Sequence, residues 1–161
     1  MNKELLKLME KNAKLSVCDL AALLGKDENE VSSAITELEE KNIIAGYHTV
    51  INWDNADADV CKAVITVHAT PERDSGYDHI ASLIANYPEV DSLYLISGST
   101  EFLLIINGST MKEVANFVAH KLAPIDGVHS TETMFILKEY KLSGEIMNRK
   151  SSSTERLIVT P

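Results

Sequence analysis

The chain has 161 residues, of which 45% are hydrophobic and 24% are charged, and its formal net charge at pH 7 is −9. This composition is typical of one medium or two small packed domains and argues against disorder. No run of 18 apolar residues occurs and the N-terminus is charged, which argues against a membrane span and a signal-peptide core, so we expect a cytoplasmic protein without a membrane partner.

The first 46 residues predict three short helices. A leucine-rich amphipathic stripe within residues 1–12 predicts the first helix. Ser16 and Asp19 have the spacing of a capping box at the start of the second helix, and Gly25 ends it. Asp27 caps the third helix, whose apolar positions repeat at helical spacing: Val31, Ala34, Ile35 and Leu38. Two short helices joined by a tight glycine turn are typical of a helix-turn-helix.

The next segment changes character. Residues 43–51 are rich in β-branched side chains and predict a wing or connecting strand. Residues 52–59 are dominated by Asp and Asn and predict a linker. We therefore predict a winged helix-turn-helix DNA-binding domain at 1–50 and a linker at 51–60.

The second half predicts the order β-α-β-β-α-β. Residues 61–69 alternate as a half-buried strand, and a helix closed by Pro88 follows. Residues 90–97 and 102–106 form a hairpin around a turn at 98–100, a helix capped by Thr110 comes next, and residues 127–137 form the last strand. The predicted fold class is α+β, with a ferredoxin-like, ACT-like βαββαβ sensor domain for effector binding and oligomerisation at 61–141 and a C-terminal tail at 142–161.

Both helices of such a unit cover one face of the sheet. The other face carries apolar and Thr side chains and needs a partner, and we expect a second copy of the chain to supply it.

Several stretches resemble the Lrp/AsnC family of feast/famine transcription regulators, over nearly the whole length of the chain. They are residues 15–25, the pattern from Val31 through Gly46-Tyr47, the hairpin around Gly98 and Glu101-Phe102, the strand with Thr131 and Thr133, and residues 155–161, which are similar to a tail in a subset of the family. The resemblance implies a DNA-binding dimer joined through the sensor sheets, often assembled into an octamer. It also implies a small effector, commonly an amino acid, bound near the contacts between dimers.

The third helix departs from the family pattern. Places that are usually basic hold Ser33, Ala34, Thr36 and Glu37, and residues 1–46 contain six Lys against nine acidic residues. Since phosphate neutralisation supplies much of DNA affinity, we expect weaker binding of double-stranded DNA than is usual in the family. The candidate DNA-binding residues are Lys26, Asn29, Ser32, Ser33 and Thr36.

The hairpin supplies the candidate effector site. Backbone N–H groups and hydroxyls of its turn can hold a carboxylate, and Glu101, which stands where the family usually has Asp, can hold an α-ammonium group. Thr131 and Thr133 share one face of the last strand because they are spaced by two. The candidate effector-binding residues are Ser97, Gly98, Ser99, Thr100, Glu101, Thr131 and Thr133.

Two alternatives remain open. The first is a ligand-sensing oligomerisation protein with weak or lost DNA binding, which the acidic third helix favours. The second is an enzyme, because sirohaem decarboxylases share the two-module resemblance. Such enzymes would need His and Arg around a large tetrapyrrole pocket, whereas here Arg73 lies outside the predicted hairpin and Arg149 and Arg156 lie in the tail.

Catalytic and metal sites are not predicted. The five histidines have no His or Cys partner at helical spacing, and the two cysteines have no CxxC spacing. Phosphate-binding glycine loops and the GxSxG and HExxH motifs do not occur. We therefore expect no catalytic residues, no metal ligands and no cofactor.

Overall fold

The structure is a computed structural model that describes residues 2–56 and 60–147. The chain divides after Val50 into two compact units. The N-terminal unit contains α1 (Asn2–Lys11), α2 (Val17–Leu24) and α3 (Glu28–Glu40). The C-terminal unit contains β1 (Cys61–Ala69), α4 (Asp78–Ala85), β2 (Val90–Leu95), β3 (Phe102–Gly108), α5 (Met111–Phe117), β4 (Val128–Phe135), β5 (Lys141–Leu142) and β6 (Glu145–Ile146).

Local hydrogen bonds set the boundaries of the helix-turn-helix. The Asp19 N–H donates to Ser16 Oγ at 3.1 Å and the Ser16 N–H donates to Asp19 Oδ2 at 3.0 Å, so both halves of the capping box form. Gly25 ends α2 in the left-handed conformation, with φ of 62°. The three helices then bury a shared core of Leu5, Leu20, Ala21, Val31, Ala34 and Leu38.

Residues 43–51 correct one expectation for this unit. The predicted wing or connecting strand is not formed, because the described residues of the N-terminal unit include no strand with which this segment could share a β-ladder. The amides of Ile43 and Ile44 instead donate to the Leu38 carbonyl at 2.9 and 3.1 Å.

The C-terminal unit has a four-stranded antiparallel sheet in the order β2-β3-β1-β4. This confirms the ferredoxin-like topology, which places the first and third strands at the centre. Ala63, Ile65 and Val67 of β1 point to one face and are fully buried. Ile80 and Ile84 of α4 and Val114 and Phe117 of α5 belong to the same core cluster.

The opposite face of the sheet is not covered by either helix. It carries Val64 of β1, which is half-buried, and its ladder partners Ile105 and Met134. Tyr94 and Met134 are 51% and 45% exposed. This open face, as we call it below, therefore presents apolar side chains on all four strands: Val64, Tyr94, Leu103, Ile105 and Met134.

The end of the described chain is more ordered than the predicted tail suggests. Leu142 pairs with Glu145 in the small β5–β6 ladder, so the first residues of that tail form a hairpin. The Asn52 side chain donates to the Met147 carbonyl, which ties the start of the predicted linker to this hairpin. The remainder of the predicted tail, from residue 148 onward, and residues 57–59 of the linker lie outside the described residues. No described helix is long and apolar enough to cross a membrane.

Candidate functional sites

The candidate DNA-binding residues of α3 lie on one exposed face of that helix. Positions related by i, i+3, i+4 and i+7 fall within an arc of roughly 100° on an α-helix. That spacing is shared by Asn29, Ser32, Ser33 and Thr36, all of which are exposed. Val31 and Leu38 point the other way into the core. The Thr36 hydroxyl donates to the Ser32 carbonyl at 3.2 Å, and the remaining side chains of this polar face have open surface around them.

Glutamates surround the polar face of α3. The helix contains no basic residue. Its five glutamates are Glu28, Glu30, Glu37, Glu39 and Glu40. Glu40 lies one turn beyond Thr36 and therefore on the polar face itself. If α3 enters a DNA groove with its polar face toward the DNA, the phosphates repel the carboxylate of Glu40.

Four of these glutamates have partners, and one of them, Glu28, accepts a hydrogen bond from the Cys18 thiol. Lys26, the fifth candidate DNA-binding residue, places its Nζ 3.2 Å from Glu30 Oε1. Lys41 pairs with Glu37 and holds the pKa of that carboxyl below its usual range through their hydrogen bond. The Tyr47 hydroxyl donates to Glu39 at 2.7 Å, and this bond raises the pKa of the tyrosine. The positive charge of Lys26, a candidate DNA-binding residue, is thus partly neutralised by Glu30, although this ion pair is exposed and weak.

The candidate effector loop joins β2 to β3 and closes onto β1. The Glu101 N–H donates to the Val67 carbonyl at 3.2 Å, and Glu101 Oε2 accepts from the Ala69 N–H at 3.0 Å. Ser97, Gly98 and Ser99 are exposed, and Thr100 and Glu101 are half-buried. The backbone of Gly98 has φ of 152°, a conformation that L side chains rarely adopt. The loop is therefore held to β1 by the hydrogen bonds of Glu101, and its tip at residues 97–99 is exposed to solvent.

Thr131 and Thr133 do share a face, and it is the face that the helices cover. In the ladder between β1 and β4 they lie opposite Val67 and Ile65, whose side chains are buried, and both threonines are half-buried. Glu101 and Thr131 therefore flank Val67 from the two sides of β1, roughly 10 Å apart by strand spacing. Thr133 lies two residues further from the loop. Within one chain, the structure brings Glu101 and Thr131 to the same end of the sheet and leaves Thr133 farther along it.

His68, at the end of β1, is a neighbour of the candidate effector loop. Its Nδ1 lies 3.6 Å from Glu101 Oε2, and its side chain is 45% exposed. The sequence gives no local signal for this contact, because His68 meets a residue that lies 33 positions later in the chain. The carboxylate of Glu101 therefore has a titratable neighbour beside its backbone partner.

Catalytic chemistry finds no support at these sites. Within residues 2–56 and 60–147, no group of three or more His, Cys, Asp or Glu side chains could hold a metal ion. The exposed Cys18 thiol has its pKa raised by a hydrogen bond to Glu28, which disfavours the reactive thiolate.

Comparisons with known proteins agree with this architecture. A family model for the Lrp/AsnC ligand binding domain matches residues 62–146. YugG of Bacillus subtilis (strain 168), described as an uncharacterized HTH-type transcriptional regulator, is 36% identical over 159 residues, which span 98% of this chain and 95% of that protein. Among solved structures, the Neisseria meningitidis transcriptional regulator NMB0573 in complex with L-Met has a TM-score of 0.67 at 23% identity, covering 89% of this chain and 93% of its own. E. coli AsnC has a TM-score of 0.63 at 19% identity, covering 86% and 91%.

The chain is an HTH-type transcriptional regulator, in which a helix-turn-helix unit precedes a ligand-binding βαββαβ unit. The family model covers more than half of the chain, and the Bacillus relative aligns along almost all of it. The chain belongs to the Lrp/AsnC family, as its sequence resemblance predicts, and nothing in its relatives points to catalysis.

Proposed function

We propose that the protein binds double-stranded DNA through α3 as a homo-oligomer, in the cytoplasm, and that a small effector, an amino acid, regulates this binding. The observation that supports DNA binding most directly is the polar face of α3. Amide and hydroxyl side chains there can donate to and accept from base edges in the major groove. The Bacillus relative is an HTH-type regulator over the same length.

Two matched variants test the role of the polar face. Asn29→Ala and Ser33→Ala each remove one polar side chain without touching the core. We expect each to reduce the preference for the gene's own upstream DNA over an unrelated duplex by about 1–3 kcal/mol, the usual value of a base contact. Fluorescence anisotropy with both duplexes measures this preference, and Ser82→Ala on α4 is the control. Unchanged preference in both variants would remove α3 from base recognition.

The open face of the sheet supports self-association. Five apolar side chains lie on it and neither helix of the C-terminal unit covers them, and burial against a second copy removes them from water. A two-fold dimer would present two copies of α3 to two half-sites. Further association into an octamer would multiply the weak contacts of an acidic helix.

The loop 97–101 supports effector binding. Glu101 Oε2 is occupied by the Ala69 N–H, and a carboxylate has two oxygens with room for several donors. In our proposal the effector's ammonium group donates to the remaining acceptor positions of Glu101. Its carboxylate accepts from the backbone and hydroxyl groups of Ser97, Gly98, Ser99 and Thr100, with Thr131 and Thr133 at the edge of the site. The L-Met in the NMB0573 complex is a ligand of this chemical class.

Glu101→Gln tests the effector site because it removes the charge and keeps an oxygen for Ala69. We expect the variant to lose at least about tenfold in affinity for the amino acid that binds the wild type, since a charge-assisted hydrogen bond is lost. Calorimetric titration across the amino acids measures it, and Glu4→Gln at an exposed position of α1 is the control. Equal affinities of wild type and Glu101→Gln would place the effector elsewhere.

The acidic α3 favours one second candidate function, a ligand-sensing oligomeric protein with weak or lost DNA binding. Its five glutamates without a basic residue are the specific observation. Anisotropy at 50 mM salt separates the two functions. Absence of binding at micromolar protein, with intact amino-acid binding, would favour this second function over the first.

A further inference from the structure

A cavity of about 350 Å³ lies in the C-terminal unit, away from the candidate effector loop. It is bounded by the start of β2, the end of β3, α5 and the turn that follows α5. Its lining includes the apolar side chains of Ile106, Val114 and Phe117. It also includes a charged group, called the charged wall below, of Glu89, Glu113 and Lys121. Its volume is within the range of small-molecule sites.

The cavity and the effector loop are at opposite ends of β3. The loop precedes Phe102, whereas the cavity is lined by residues at the other end of the strand, up to Gly108. Six residue steps along an antiparallel strand span roughly 20 Å. A ligand in the cavity would therefore contact none of the residues assigned to the effector loop.

The charged wall has excess negative charge. Lys121 pairs with Glu89 through Oε1 and lies 5.5 Å from the centre of the Tyr87 ring. This pairing lowers the pKa of Glu89, which is ionised at neutral pH. Glu113 adds a second carboxylate, whose Oε2 accepts from the Ser109 N–H at 2.8 Å. With the lining residue His120 counted as neutral, two carboxylates and one ammonium leave one negative charge to be balanced.

One oxygen of this wall has no partner. Glu89 Oε2 is shielded from solvent and makes no hydrogen bond to any described residue. A buried acceptor without a donor is costly, more so when it is charged. The Glu89 side chain lines the cavity and as a whole is 32% exposed, so its carboxylate lies at the boundary between the cavity and the protein interior.

The backbone of this wall is unusual as well. Residues Val118–Leu122 form a π-helical turn directly after α5, and the Ala123 N–H donates to the Val118 carbonyl at 2.8 Å, five residues back. Single π-helical turns are rare and occur frequently at functional sites. Here the turn carries Lys121 into the cavity wall, so the rare backbone form and the carboxylate oxygen without a partner occur at the same cavity.

We propose that this cavity is a second small-molecule site, specific for a primary amine with an apolar body. The ammonium group donates to Glu89 Oε2 and to the Glu113 carboxylate and balances the excess negative charge. The apolar body packs on Ile106, Val114 and Phe117. The negative wall disfavours ligands that carry a carboxylate, which separates this site from a site for an amino-acid effector.

Three probes with one carbon skeleton test the proposal on the full chain. They are 3-methylbutylammonium, the neutral 3-methylbutan-1-ol and the anionic 3-methylbutanoate. Titrations followed by amide NMR are expected to show saturable binding of the amine, with shifts confined to β3, α5 and the π-helical turn. The alcohol should bind at least tenfold more weakly and the anion should not bind. Equal binding of all three probes, or no saturable binding of the amine, would overturn the proposal.

Matched variants identify the carboxylates. Glu113→Gln keeps an oxygen for the Ser109 N–H and Glu89→Gln keeps one for Lys121, and thermal unfolding checks that each variant folds. Each is expected to weaken amine binding about tenfold or more, whereas Glu101→Gln in the effector loop should leave it unchanged. Amine binding that is insensitive to both cavity variants would refute the assignment. Loss of amine binding in Glu101→Gln would merge this site with the effector loop and refute it too.

Discussion

Replacing Glu40 by lysine should strengthen DNA binding and make it more sensitive to salt. Glu40 is exposed and lies one turn beyond Thr36 on the polar face of α3, so its carboxylate faces the phosphates in the proposed complex. The change also places a cation in the last turn of the helix, where the helix dipole favours positive charge. We therefore expect the variant to fold at least as well as the wild type.

The size of the effect follows from counterion release. Each phosphate contact that is gained steepens the slope of log K against log salt by about 0.9, so two copies in a dimer add about 1.8. Between 200 and 50 mM salt, a fourfold change, this added slope corresponds to a further gain in affinity of about 12-fold. Fluorescence anisotropy at four or five salt concentrations measures both slopes.

Glu10→Lys on α1 is the matched control, because it changes the net charge equally at another exposed position. Our reasoning expects a smaller change of slope in Glu10→Lys than in Glu40→Lys. An unchanged slope in Glu40→Lys, or equal slopes in the two variants, would show that the polar face of α3 does not meet the phosphates.

Three other predictions concern stability and assembly. Leu104 is fully buried in the sheet core, so Leu104→Ala should lower the free energy of unfolding by about 2–5 kcal/mol in urea denaturation; a loss well under 1 kcal/mol would contradict this packing. The Ser16 hydrogen bonds lower the pKa of Asp19, so its carboxylate stabilises the fold at neutral pH and loses this contribution as the pH falls below about 4. Asp19→Asn should thus melt below the wild type at pH 7 and together with it in strong acid, and a gap that persists in acid would argue against this origin. Met134→Glu should shift the protein toward monomer in light scattering, whereas Lys112→Glu on α5 should not; equal masses for both variants would argue against the open face.

Much of the fold was predictable because its signals are local. The capping box of Ser16 and Asp19 and the left-handed Gly25 depend on residues three or fewer positions apart. The period-two pattern of β1 and the turn after β2 then fixed the strand order through a known topology. The prediction of a wing was wrong for a non-local reason. The β-branched residues at 43–51 favour extended backbone, but a local pattern cannot supply the neighbouring strand that a ladder requires.

The sites were less predictable than the fold. Spacing by two placed Thr131 and Thr133 on a shared face, yet only pairing with β1 decides that the helices cover this face. The contacts of Glu101 with Ala69 and His68 span more than 30 residues, and no local pattern encodes them. The cavity at Glu89 arises where two strands, α5 and a π-helical turn converge, and its residues are unremarkable in sequence.

The coupling of effector binding to DNA binding is tested most directly by one titration. The gene's own upstream duplex is titrated with wild-type protein at 50 mM salt, alone and with each amino acid in turn. Our account predicts saturable binding whose midpoint one amino acid, or a small related set, moves by roughly 5–150-fold, the usual range of allosteric coupling. A curve that no amino acid moves, or a duplex that the protein does not bind at all, would contradict it.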